Sequence, residues 1–126
     1  MKNKKKILVV DDEKEFTTLI KANLEVRGKY EVRTENKSSR ALDAIREFKP
    51  DLVLLDIMMP DGIDGDEIAR QVRSDEEIKN TPIIFLTAVL TEEEVAERKG
   101  VIGGFSFIAK PVKLQELMEH VEKIVG

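Results

Sequence analysis

At 126 residues, with 41% hydrophobic and 37% charged side chains, the chain has the composition of a single soluble globular domain with a real core. A formal net charge of -4 argues against general nucleic-acid binding, and the lack of cysteine excludes disulfides, thiolate zinc sites and cysteine nucleophiles. No apolar run approaches the ~20 residues of a membrane span. The basic leader, residues 1–5, has no apolar segment after it of the kind a signal peptide needs, so a cytoplasmic protein with a solvated amino-terminal fringe is expected.

Residues 7–10, Ile-Leu-Val-Val, form a short unbroken apolar run that ends on Asp11, Asp12 and Glu13. Phe16, Leu19, Ile20 and Leu24 then recur at the spacing of one helix face, and Gly28 is placed to stop that helix. Residues 30–35 alternate Tyr-Glu-Val-Arg-Thr-Glu, a strand with one solvated face. Ser38 or Ser39 can cap a second helix with an inner face of Ala41, Leu42, Ile45 and Phe48, and Pro50 ends it. The run Leu52 to Leu55 is too short for a helix and too unbroken for a half-exposed strand. It reads as a strand covered on both faces, and it breaks on Asp56, with Pro60 and Gly62 close behind to turn the chain.

Asp61 to Asp66 is rich in turn residues, but Ile63 and Gly65 stand where a calcium loop needs ligands, so Asp64 is expected only to cap a third helix carrying Ile68, Ala69 and Val72. Ile83 to Leu86 is another buried-type strand, ending on Thr87-Ala88. Thr91 and Glu94 form a capping box for a fourth helix with only Val95 and Ala96 clearly inward. After Gly100, Gly103 and Gly104 comes a last strand, Phe105 to Ala109, ending on Lys110-Pro111. The terminal helix aligns Leu114, Leu117, Met118, Val121 and Val125, with His120, the only histidine, on its flank as a partly exposed structural residue.

Five alternations of strand and helix imply a parallel sheet with right-handed crossovers and helices on both faces. The covered runs belong at its centre, the second and fifth strands at its edges. The expected fold is therefore a doubly wound, flavodoxin-like (βα)5 α/β domain over residues 1–126, strand order 2-1-3-4-5, with its switch point between the first and third strands. Asp11, Asp12 and Asp56 then meet in one crevice. Each pair of such carboxylates repels by roughly 3 kcal/mol at about 5 Å and an effective dielectric near 20. A hard divalent cation relieves this; Mg2+, or the similar Mn2+, suits few carboxylates plus phosphate oxygens, and softer metals lack ligands here. A carboxylate beside a metal-bound phosphoryl donor suggests nucleophilic attack and an aspartyl phosphate. Lys110 and the Thr87 hydroxyl could supply the positive charge and hydrogen bond that the phosphoryl oxygens need.

The segments KILVVDDE, DLVLLDIMMP, PIIFLTA and FIAKPV resemble, in order and over essentially the whole chain, the receiver domain of two-component response regulators. The resemblance implies that Asp56 accepts a phosphoryl group from a sensor histidine kinase or a histidine phosphotransfer protein. It implies that Asp11, Asp12, Asp56 and the Met58 carbonyl hold magnesium, that Lys110 contacts the phosphoryl group, and that Thr87 is the switch hydroxyl. Phe107 matches the aromatic switch position, whose ring turns inward with Thr87, so that the surface of the fourth helix, fifth strand and fifth helix changes its affinity for a downstream protein. The Lys110-Pro111 peptide bond is expected to be cis. Met58 and Val89, two residues after the phosphoacceptor and the switch threonine, cannot orient a water by hydrogen bonding, so slow self-dephosphorylation is expected.

Two features depart from the family pattern. The loop reaching Asp64-Gly65 is one residue longer than usual, and the stretch from Thr87 to Lys110 is long, with Phe105 where receivers commonly carry a polar residue. Phe105 fits either extra core packing or a partner-facing patch. Two other readings share the residues: a magnesium-dependent aspartyl phosphohydrolase, and a phosphorylation-independent interaction module. The first usually places its nucleophile after the first strand with a second Asp two positions on, a spacing that Asp11-Asp12-Glu13 lacks. No conventional turnover enzyme, nucleic-acid contact or membrane contact is expected. The sequence ends soon after the terminal helix, so an output domain is expected only in a longer parent, if the chain is not a stand-alone module.

Overall fold

Alternation along each strand decides which face a side chain serves. In the computed structural model, which describes residues 4–59, 64–88, the backbone of 101–102, and 105–126, the strands are β1 (Lys5–Val10), β2 (Tyr30–Glu35), β3 (Leu52–Asp56), β4 (Ile83–Thr87), β5 (Val101–Ile102) and β6 (Phe105–Ala109). The helices are α1 (Lys14–Glu25), α2 (Ala41–Phe48), α3 (Gly65–Arg73) and α4 (Leu114–Val125), with a 3-10 turn at Ser38–Arg40. The sheet order is β2-β1-β3-β4-β6-β5, every pairing parallel except β5 with β6. The five long strands thus follow the expected 2-1-3-4-5 order.

Ile7, Val9, Leu52, Leu54, Ile84, Leu86 and Ile108 point to one face, where Ile20 and Leu24 of α1 and Leu117 and Val121 of α4 cover them. Leu8, Val10, Val53, Leu55, Ile83, Phe85, Phe107 and Ala109 point to the other, covered by Ala41, Ala44 and Ile45 of α2 and Ile68, Ala69 and Val72 of α3. All of β3 and β4 is buried, because a central parallel strand has helices above and below it. In β2, Tyr30 and Val32 are buried while Glu31 is exposed, as the alternation predicts for an edge. Gly28 sits at φ +72° and donates its N–H to the Glu25 carbonyl, closing α1.

Four local expectations are revised, and one left open is resolved. Leu19 is 53% exposed, and Thr17 takes the inward place in α1; its hydroxyl donates to the Lys14 carbonyl, so a polar side chain is buried there with a partner. Neither Ser38 nor Ser39 is a helix N-cap, since both are wound into the 3-10 turn. Asp64 does occupy the N-cap position of α3 but makes no side-chain capping bond; its carbonyl accepts from Glu67 and Ile68 instead. The last long strand is not the sheet edge, because β5 pairs antiparallel with β6 and lies outside it. That hairpin uses part of the long Thr87 to Lys110 stretch. Phe105 is partly buried: its ring meets Phe85 edge-on at 5.1 Å and carries the Arg73 guanidinium 5.2 Å above it, which favours the packing reading. The fourth helix expected after Thr91, together with Val89 and the Pro60 to Ile63 loop, lies outside the described residues.

Candidate functional site

Strand register carries the reactive groups to one end of the sheet. Val10 pairs with Leu55, Asp56 with Leu86 and Thr87 with Ala109, so Asp11, Asp56, Thr87 and Lys110 all emerge at the carboxyl ends of parallel strands. β1 lies between β2 and β3, so the crevice opens at the switch point of the sheet. The Lys110 N–H donates to the Thr87 carbonyl at 2.7 Å and the Ile57 N–H to the Leu86 carbonyl at 3.1 Å, which ties these ends together. The Lys110-Pro111 bond is cis.

Asp11, Asp12 and Asp56 each offer a carboxylate oxygen within 4.8 Å of the others. Asp11 and Asp56 are buried, Asp12 exposed. The Lys110 ammonium lies among them, 2.7 Å from Asp11 Oδ2, 3.5 Å from Glu13 Oε1 and 3.6 Å from Asp56 Oδ2. Burial pushes the Asp56 carboxyl up to about 6, helped by the Asp11 charge and opposed by Lys110 and a hydrogen bond from the Met58 N–H. Asp11 is likewise raised, chiefly by burial, although Lys110 and the Glu13 N–H both stabilise its anion. Burial pulls the Lys110 ammonium down, but its bond to Asp11 and the surrounding carboxylates outweigh this and leave it raised. One ammonium thus offsets part of the charge of three carboxylates and leaves a surplus that a hard dication would neutralise. The all-oxygen donor set suits magnesium.

Thr87 is fully buried at the end of β4. Phe107, also buried, stands two residues before the strand end and packs on Phe85 with ring centres 5.0 Å apart. Met58, two residues beyond Asp56, is 57% exposed.

Four contributors had no clear signal in the sequence. Glu13 reaches Lys110 and donates its N–H to Asp11 Oδ1 at 3.0 Å. Asn36, just past β2, donates its side-chain N–H to the Asp11 carbonyl at 2.8 Å and to Thr17 Oγ1 at 3.0 Å. The Phe16 ring lies under Lys110, its centre 5.0 Å from the ammonium. Gly65, at the start of α3, donates to the Ile57 carbonyl at 2.7 Å, and a side chain there would overlap the Asp56 carbonyl and come within 2.9 Å of Ile57 Cα. Only its turn-rich setting pointed to it. Because the obstacle is main chain, Gly65→Ala is expected to destabilise the fold by roughly 2–3 kcal/mol. Urea unfolding would read this as a lower midpoint at unchanged slope; a midpoint equal to the parent's would refute the close approach.

A family model, the response regulator receiver domain, matches residues 7–122. That decides the family. The chain is a response regulator receiver domain. The receiver is 48% identical over 118 residues to the nisin biosynthesis regulatory protein NisR of Lactococcus lactis subsp. lactis, a match that covers 93% of this chain and 48% of NisR, so the chain spans about half the length of that relative. Among solved structures it is similar to the chemotaxis protein CheY4 of Vibrio cholerae (TM-score 0.80, 28% identity, 98% of this chain and 100% of that one). It is also similar to the BeF3-activated N-terminal receiver domain of RstA from Klebsiella pneumoniae (TM-score 0.75, 32% identity, 94% and 97%). Receivers are signalling modules of two-component systems and generally not turnover enzymes. They bind Mg2+ at an acidic pocket, and the Asp11, Asp12 and Asp56 cluster of this receiver fits that role. Among the described residues no helix is long and apolar enough to cross a membrane.

Proposed function

We propose that Asp56 is the phosphoacceptor and that its phosphorylation, by a sensor histidine kinase or a histidine phosphotransfer protein, switches a protein-binding surface. The observation that carries this is the placement of a buried carboxylate, held near 6, between two further acids and an ammonium at the switch point of the sheet. At pH 7 such a carboxylate is mostly ionised and able to attack. An Asp56 oxygen bonds to phosphorus as the bond from phosphorus to the donor histidine nitrogen breaks. The electron pair stays on that nitrogen, and the ring, protonated at its other nitrogen before transfer, leaves as neutral imidazole; the product is a mixed carboxylic-phosphoric anhydride. Lys110 stands where it can pair with the phosphoryl oxygens. Asp11, Asp12, Asp56 and the Met58 carbonyl would hold Mg2+, which supplies neutralising charge to the phosphoryl group when bound.

In this reading Thr87 swings toward the phosphoryl group and the inward position of the Phe107 ring, already buried against Phe85, is favoured, so the surface formed by the predicted fourth helix, β6 and α4 gains or loses affinity for a downstream protein or a linked output domain. A groove of about 520 Å3 beside Lys110, lined by Phe16, Leu19, Ile20, Val112 and Leu114, offers an apolar shelf for the phosphodonor protein. The product should be long-lived, because the Met58 and Val89 side chains have no polar group to direct water at phosphorus.

Intact-mass spectrometry after incubation with acetyl phosphate and Mg2+ tests the proposal. One phosphoryl mass is expected on the parent, none on Asp56→Ala and none with a chelator, and the adduct should persist after the donor is removed. Incorporation that survives Asp56→Ala would place the chemistry elsewhere. Continuous release of phosphate with turnover would indicate a phosphohydrolase, and a parent that takes no phosphate would leave only an interaction module.

A further inference from the structure

Carboxylates are not the only groups that hold Lys110. Among the described residues, its ammonium is surrounded by three acids (Asp11, Glu13 and Asp56) and by the ring of Phe16 at 5.0 Å. Phe16 lies in the first turn of α1, just beyond the acidic Asp11-Asp12-Glu13 segment, and is itself fixed by packing against the core cluster shared with Val112 and Leu114. The side chain of Lys110 is only 15% exposed, so the ring meets a cation that has already lost much of its water.

The two kinds of partner differ in what they leave available. A carboxylate holds an ammonium and also neutralises it, and Asp11, the acid closest to Lys110, is also one of the three acids in the cation cluster. An aromatic face attracts the ammonium through its quadrupole and adds no net charge. The positive charge therefore stays available to an incoming phosphoryl oxygen. We propose that Phe16 is a positioning residue for phosphoryl transfer, its ring keeping the Lys110 ammonium in the crevice when Asp11 is engaged by the metal ion. This rests on the reading of Asp56 as phosphoacceptor. Leucine or methionine at position 16 would fill similar space without the quadrupole; tyrosine would keep it.

The test uses a small donor, acetyl phosphate with Mg2+, so that a kinase contact with Phe16 in the apolar groove cannot contribute. Phe16→Leu and Phe16→Met are expected to load Asp56 roughly five- to tenfold more slowly than the parent, and Phe16→Tyr within about twofold. In a Lys110→Ala background, Phe16→Leu should bring no further loss, since the ring acts through the ammonium. A readout independent of loading is the upfield ring-current shift of the Lys110 ε-methylene protons. It should be present in the parent and in Phe16→Tyr with Mg2+ added, and absent in Phe16→Leu. Parent-like loading by Phe16→Leu and Phe16→Met would overturn the proposal. So would an equal loss in Phe16→Tyr, or an undiminished Phe16→Leu effect without Lys110. If the parent itself takes no phosphoryl group, the phosphoacceptor reading falls and this inference with it, an outcome distinct from a parent that loads and a Phe16→Leu variant that matches it.

Discussion

Lys110→Ala is expected to slow loading of Asp56 by acetyl phosphate roughly a hundredfold and, at the same time, to tighten Mg2+ binding roughly tenfold. The first effect follows from removing a preorganised cation that sits among Asp11, Glu13 and Asp56; losing one such donor typically lowers a rate by 10² to 10³. The second follows from where the ammonium sits. It lies 2.7 Å from Asp11 Oδ2 and 3.6 Å from Asp56 Oδ2, inside the carboxylate cluster that a dication would use. Two unit charges about 4 Å apart interact by about 1 kcal/mol even in water, and a dication doubles this. Titration calorimetry with Mg2+ and a loading time course on the same variant read the two effects separately. A variant that loads slowly because it binds metal weakly would contradict this account, because the affinity would then have moved in the opposite direction.

Asp56→Asn is expected to stabilise the metal-free protein at pH 7 by about 2 kcal/mol, a rise in melting temperature of roughly 5–10 °C. In the folded protein the Asp56 carboxyl is raised from 3.8 to about 6, through burial first and the Asp11 charge second, with the exposed Asp12 adding to it and Lys110 and the Met58 N–H opposing it. Two units correspond to roughly 3 kcal/mol, and water at the open rim of the crevice screens part of that. The sign is fixed by linkage. An acid raised on folding favours the fold where it is protonated, so this contribution is fully present below about pH 4 and is lost as pH rises through about 6. The advantage of Asn should therefore be largest above pH 7 and shrink steadily toward pH 4. Thermal melts in chelator at several pH values measure it. A difference that does not vary with pH, or an Asn variant that melts below the parent, would mean that the carboxylate is not strained in the unliganded fold.

Both predictions rest on features with different origins in the sequence. The strand ends were legible because the signal is local: an apolar run such as Leu52 to Leu55 that breaks on Asp56 reports burial and its termination within five residues. The alternation of Tyr30 to Glu35 placed β2 at an edge for the same reason. In α1 the helical period admits Leu19 as readily as Thr17, so spacing alone does not decide which of them faces inward. Thr17 is the one turned inward, where its hydroxyl accepts a hydrogen bond from the side chain of Asn36, 19 residues away. The pairing of β5 with β6 leaves no mark in the sequence, because a two-residue strand has no period.

The order of covered and solvated runs, read along the chain, was enough to specify the doubly wound sheet and to bring Asp11, Asp12, Asp56, Thr87 and Lys110 to one end of it. Those facts depend only on residue type, alternation and the handedness of crossovers. The tertiary structure alone decided how the groups act on one another: the ammonium of Lys110 on an acid 99 positions away, the Phe16 ring beneath it, the Gly65 backbone against Asp56 and the raised pKa of the Asp56 carboxyl. Each of these is set by distances of a few ångströms between distant segments, and electrostatic and steric energies change steeply over that range, whereas the pattern of a sequence does not record it.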